Sequence, residues 1–137
     1  MRSFHALTLI FVTVFLTAAV STTAGQKTGS PAVPSYDPAS EATFKGIVTD
    51  VIERQCPMSG GLGSHLNLKL EDSKTIEVHL ATTRFLKSFD VAFSKGDKVE
   101  VVSVKVQFEG KDTIFARGVT RGSETFTFRN KDGRPIW

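Results

Sequence analysis

Cysteine, tryptophan and tyrosine each occur once in this 137-residue chain, and methionine twice. A single cysteine, Cys56, excludes an intrachain disulfide and the paired Cys-x-x-Cys spacings of zinc ribbons and fingers. Charge of one sign is also scarce: 17 Lys and Arg against 14 Asp and Glu leave a formal net charge of +3. That excess gives no electrostatic basis for non-specific DNA or RNA binding, which depends on many contacts from Lys and Arg to phosphates. Nucleic acid is therefore not an expected partner. Signatures of catalysis are missing too. There is no Gly-x-Ser-x-Gly elbow, no Gly-Lys-Ser/Thr after the glycine cluster, and no carboxylate pair that stands out among the scattered acids. The chain reads as non-catalytic.

The longest uncharged apolar run, Ala6 to Val20, is 15 residues long, short of the roughly 20 needed to span a bilayer. It follows the single early cation Arg2 and precedes small and polar residues, the layout of a secretory signal peptide. Thr22-Thr23-Ala24 offers small residues at the −3 and −1 positions, which assigns residues 1–24 to the signal, with Ala19 as the other cleavage candidate. The expected product is a periplasmic or secreted protein without a transmembrane segment after cleavage. Its net charge falls to +2 once Arg2 is removed. No lipobox-like cysteine follows the apolar run, so a lipid anchor is not expected. Thiols usually pair outside the cytoplasm. Cys56 is therefore capped, ligated, joined to another chain, or buried.

Residues 25–40 are rich in Gly, Ser, Thr and Pro, and Pro31, Pro34 and Pro38 disfavour both helix and central strand. This stretch reads as a flexible linker to one domain, residues 41–137. Within it, Thr43–Ile52, His65–Leu70, Thr75–Leu80, Val99–Phe108, Thr113–Val119 and Glu124–Arg129 have strand character. Alternation sends Leu66, Leu68, Leu70, Ile76, Val78 and Leu80 inward. His65, Asn67, Lys69, Glu77 and His79 point outward. Pairing Leu66 with Leu80 and Leu68 with Val78 keeps the inward residues together and sets Asn67 opposite His79. Between the third and fourth strands, Phe85, Leu86 and Phe89 share one face of a short helix, with Thr82 or Thr83 as its N-cap. The expected class is all-β with one short helix: a small five- to six-stranded OB-like barrel, closed because closure removes exposed edges.

With this order of elements the chain resembles an OB-fold and, distantly, the small periplasmic bacterial OB-fold proteins. More closely it resembles a group of short exported bacterial proteins. The residues that carry the likeness are Cys56-Pro57-Met58-Ser59-Gly60-Gly61, the run TIEVHLATT at 75–83, KGDKVEV at 95–101 and RNKDGRPIW at 129–137. The resemblance implies a fold and an exported binding protein, and leaves the ligand open.

Cys56 to His65 forms the connection between the first two strands and reads as a flexible, glycine-rich loop at the rim of the usual ligand face. Three functional readings share this region. In the first, the surface of strands 1–3, with Asn67, Lys69, Glu77 and His79, binds a small ligand or an envelope protein, with no cofactor. In the second, Cys56, Met58, His65 and His79 hold copper, since thiolate and thioether are soft donors suited to Cu(I) and the two histidines lie diagonal on one face. In the third, the barrel binds single-stranded nucleic acid or an oligosaccharide by fold analogy. A structural reading runs beside them, with Met58 plugging the barrel end, Cys56 a small buried hydrophobe and the histidines on the surface. Arg117 and Arg121, flanking Gly118 and Gly122, are candidates for an anion site or ordinary solvated charges.

Overall fold

The computed structural model describes residues 34–56, 58–108 and 110–137. The signal segment 1–24 and most of the linker lie outside the described residues. The last residues of the expected linker, from Pro34 on, are described and pack onto the domain. Tyr36 is buried, and Pro38–Ser40 form a 3-10 turn capped by Asp37, whose carboxylate accepts from Ala39 N–H at 3.0 Å.

Alternating apolar residues build six strands: β1 (Ala42–Cys56), β2 (Gly61–Leu70), β3 (Thr75–Thr82), β4 (Lys98–Phe108), β5 (Lys111–Arg121) and β6 (Glu124–Thr127). They pair in the order β3-β2-β1-β4-β5-β6, and a parallel pairing of β3 with β5 closes five of them into a ring. The fold is all-β with one short helix, a five-stranded OB-like barrel with β6 added beside β5. Val48, Leu66, Leu68, Val78, Val101, Ala116 and Val119 are fully buried in its interior. Burying one Val or Leu contributes about 1.5–3 kcal/mol relative to exposure, whereas an exposed ion pair contributes about 0–1 kcal/mol. The interior therefore holds the barrel, and the surface ion pairs contribute little.

The helix α1 (Thr83–Ser88) takes Thr82 as its N-cap, with Thr82 Oγ1 accepting from Phe85 N–H at 3.2 Å. Of the three residues expected to share its apolar face, only Leu86 enters the core; Phe85 is half-buried and Phe89 is 66 % exposed. Strand β6 ends two residues earlier than expected. Phe128 and Arg129 N–H both donate to Arg117 O, at 2.7 and 3.2 Å, as Phe128 turns into the core.

The register of the β2–β3 hairpin differs from expectation. Leu66 faces Val78, Leu68 faces Ile76, Asn67 faces Glu77, and His65 stands directly opposite His79. The loop is tighter than the expected pairing required, since Leu70 N–H donates to Lys74 O at 2.8 Å. Beyond the histidines, Ser64 pairs with Ala81, which leaves Leu80 as the extra residue of a β-bulge. The bulge lets both Leu80 and Ala81 reach the core. Gly61–Ser64 also depart from the loop reading, because they extend β2 along β1 as far as the Cys56–Gly61 pair.

Part of the barrel's outer surface is covered. Tyr36, Val104 and Phe115 form a second apolar cluster, with Met58 and Val106 against it. The C-terminal tail folds back onto this cluster through a bridge between Arg129 and Pro135. Arg129 is buried, donates from Nη1 to Gly133 O at 3.1 Å, and lies 5.3, 5.5 and 4.9 Å from the ring centres of Tyr36, Phe115 and Trp137. This cover reaches the end of the sheet where the two histidines meet.

Candidate metal centre

Strand periodicity places Cys56, Gly63 and His65 on one face, because Cys56 pairs with Gly61, Arg54 with Gly63 and Ile52 with His65. Facing His65, His79 adds a third donor from β3. One thiol and two imidazoles thus come from three hydrogen-bonded neighbouring strands. One possible ligand atom from each lies within 4.8 Å of the others. Metal–ligand bonds of about 2.0–2.3 Å separate donors around one ion by roughly 3.4–3.7 Å, so small side-chain rotations bring all three onto a single ion. Met58 lines the same 260 Å³ cavity, with Arg54 and Lys111 near it.

The polar groups here are buried. His79 is 1 % exposed, His65 5 % and Cys56 7 %. His65 Nδ1 lies 2.9 Å from Glu77 Oε1, an oxygen that Arg54 also contacts. That hydrogen bond orients the ring and leaves Nε2 for another partner. Among the described residues, neither His65 Nε2 nor either ring nitrogen of His79 has a hydrogen-bond partner. An unsatisfied buried polar group costs about 1–3 kcal/mol, so three of them beside one thiol need a reason.

Burial also fixes their charge. It is the main cause that pushes His79 down to about 3, with the charges of His65 and Arg129 adding to it. His65 is lowered as well, chiefly by burial and against the pull of Glu77. Both imidazoles are therefore neutral at physiological pH, the form that coordinates a metal.

Gly63 makes the space. A Cβ at this position would lie 2.8 Å from Ser59 Oγ, 2.9 Å from Cys56 Cβ and 3.3 Å from His65 Nε2. The turn below it is held by Ser59, whose N–H donates to Cys56 O at 3.1 Å. Sequence reading named Gly63 only as a flexible loop residue. It also missed the cover from Tyr36 and Arg129, and the role of Glu77 as partner of His65. The Glu77 role follows from register, since Glu77 and His79 share a face of β3 next to His65.

The four residues expected to form a ligand surface do not share one environment. Glu77 and His79 belong to the thiol–imidazole cluster. Asn67 lies part-way along the strand, its backbone carbonyl accepting from Thr49 Oγ1 at 3.1 Å. Lys69 is exposed on a 610 Å³ groove with Lys45, Lys98 and Glu71. Another groove, of 620 Å³, runs between Ser59–Leu62 and Thr82–Lys87. Both are larger than the cavity at the cluster, and neither gathers buried donors. Arg117 and Arg121 are engaged by acids: Arg117 Nε donates to Glu41 at 2.6 Å, and Arg121 reaches Asp97 and Glu124 at 3.2 and 2.9 Å. Among the described residues, no helix is long and apolar enough to cross a membrane.

Among solved structures, a mitochondrial single-stranded DNA binding protein of S. cerevisiae is similar over 64 % of this chain and 97 % of its own, at 10 % identity and a TM-score of 0.42. A likeness at that level carries nothing about ligand. Comparison with curated proteins gives no significant match. Residues 40–126 match the model of the MamS/MamX magnetosome protein family. The match spans Cys56, Met58, Gly63, His65, Glu77 and His79 and covers more than half of the chain, which therefore belongs to the MamS/MamX magnetosome protein family.

Proposed function

We propose that this protein is a non-catalytic OB-fold binding module whose ligand is one soft transition-metal ion, copper before others, held by Cys56, His65 and His79. The carrying observation is the set of three unpartnered buried nitrogens beside a buried thiol on three adjacent strands. A metal ion takes up one lone pair from each ring, two that no group among the described residues uses, and the second nitrogen of His79 keeps its proton. Two neutral imidazoles and one thiolate bind Cu(I) as a site of zero net charge, which suits burial better than a dication does. The buried thiol disfavours the alternative of a disulfide to another chain. We read the N-terminal pattern as an export signal and the family as the setting, so the site works outside the cytoplasm in a magnetosome-associated compartment.

The test is an anaerobic Cu(I) titration of the wild-type protein against a chromophoric Cu(I) chelator, in parallel with Cys56→Ser and His79→Leu. The expected result is one Cu(I) per wild-type chain and at least a hundredfold weaker binding in each variant. Wild-type affinity in Cys56→Ser, with its fold intact by circular dichroism, would overturn the proposal.

A further inference from the structure

We infer that the centre is built for electron transfer: a His-His-Cys copper site with the Met58 thioether as weak fourth donor, cycling between Cu(II) and Cu(I). The inference rests on the copper-binding reading above and adds what the bound ion does. Three strong donors from two imidazoles and one thiolate, plus a weak thioether, form the set that supports rapid one-electron exchange at copper. Met58 is positioned to be that fourth donor. It sits two residues after Cys56, lines the same cavity as Cys56, His65 and His79, and packs against the apolar cluster of Val104 and Phe115.

Rigidity favours the same use. Electron exchange is fast when the two oxidation states share one geometry, and this site resists rearrangement. Its strong donors stand on three strands locked by the β1–β2 and β2–β3 ladders, and His65 is held from behind by Glu77. The pocket is also placed for an electron to enter and leave. His79 packs edge-on to Phe115 at 5.7 Å and lies 6.1 Å from the ring of the half-buried Trp137, so the ion would rest one side chain below the surface.

In the reductive step Cu(II) gains one electron and becomes Cu(I), while an outer-sphere one-electron donor loses it. With hexacyanoferrate(II) as the donor, the product is hexacyanoferrate(III). The Cys56 thiolate and both imidazoles stay bound, no covalent bond breaks and no proton moves.

The experiment loads the protein with Cu(I) anaerobically, oxidises it with hexacyanoferrate(III), and records visible absorption and electron paramagnetic resonance. The expected result is an intense visible thiolate-to-Cu(II) charge-transfer band with narrow copper hyperfine splitting. Hexacyanoferrate(II) in excess, or ascorbate, should bleach it reversibly with the metal retained. Met58→Leu should keep the band and raise the reduction potential, and Met58→Gln should lower it. Stoichiometric Cu(I) binding followed by metal loss or thiol oxidation on treatment with hexacyanoferrate(III) would overturn electron transfer and leave metal binding standing. Failure to bind Cu(I) at all would overturn both. A potential unchanged in both Met58 variants would remove Met58 from the centre.

Discussion

Adding one methyl group at Gly63 should damage the metal site more than the fold. A Cβ there would lie 2.8 Å from Ser59 Oγ and 2.9 Å from Cys56 Cβ, inside van der Waals contact. Ser59 Oγ can rotate away; Cys56 Cβ is fixed to the end of β1, so relief requires the strand end or the Cys56 side chain to move. Overpacking of this kind costs about 1–3 kcal/mol, while replacing Gly by Ala returns about 0.4–1 kcal/mol by restricting the unfolded chain. The metal-free protein should lose about 0.5–2 kcal/mol, several degrees in Tm for a domain of this size. Cu(I) affinity should fall by about 10–100-fold, the range seen when the groups orienting a metal ligand are disturbed. Gly61→Ala is the control, since a Cβ there meets nothing within 4 Å, and it should leave both quantities near wild type. The assay pairs a Cu(I) competition titration with thermal unfolding of the metal-free protein. Affinity within threefold of wild type for Gly63→Ala would refute the idea that this glycine shapes the site.

Three further outcomes are expected. His79→Leu should abolish tight metal binding yet stabilise the metal-free protein by about 1–2 kcal/mol, because it removes two unpartnered buried nitrogens; a lower Tm in urea or heat would contradict this. Glu77→Ala should weaken Cu(I) binding by about 10–100-fold and Glu77→Gln by less, since the amide oxygen still accepts from His65 Nδ1; equal losses in both variants would point to charge alone. Glu41 is held below the usual carboxylate range, first by its hydrogen bonds from Arg117. A depressed folded value means that its stabilisation is complete above the unfolded value of about 4.3 and is lost as pH falls through the folded one. Glu41→Gln should therefore lower Tm at pH 7 and flatten the acid limb below about pH 4.3, and an unchanged limb would count against the pair.

The barrel was legible because its strands alternate cleanly: Leu66 to Leu70 and Ile76 to Leu80 declare an inward face, and Thr82 announces the helix that separates β3 from β4. The register was not. Two leucine-rich strands pair equally well in either frame when judged by inward residues alone, and the observed frame is shifted by two residues toward the tighter loop that Leu70 N–H closes on Lys74 O. That two-residue shift converts a diagonal His65–His79 relation into a direct pair with ring centres 4.9 Å apart. The donor residues were nameable from sequence, since soft and imidazole groups are scarce in this chain and cluster around one connection. Burial was among the readings for Cys56 but not for the two histidines, because outward positions on a small barrel normally meet water. Here Tyr36, upstream of the barrel, and the tail from Arg129 to Trp137 supply the cover, and no local pattern in β2 or β3 signals that.

The centre is tested most directly by X-ray absorption at the copper edge on protein loaded anaerobically with one equivalent of Cu(I). The expected first shell holds two nitrogen donors and one short sulfur, with the sulfur lost in Cys56→Ser and one nitrogen lost in His79→Leu. A first shell without sulfur, or one unchanged by either substitution, would contradict the assignment of Cys56, His65 and His79 as the metal site.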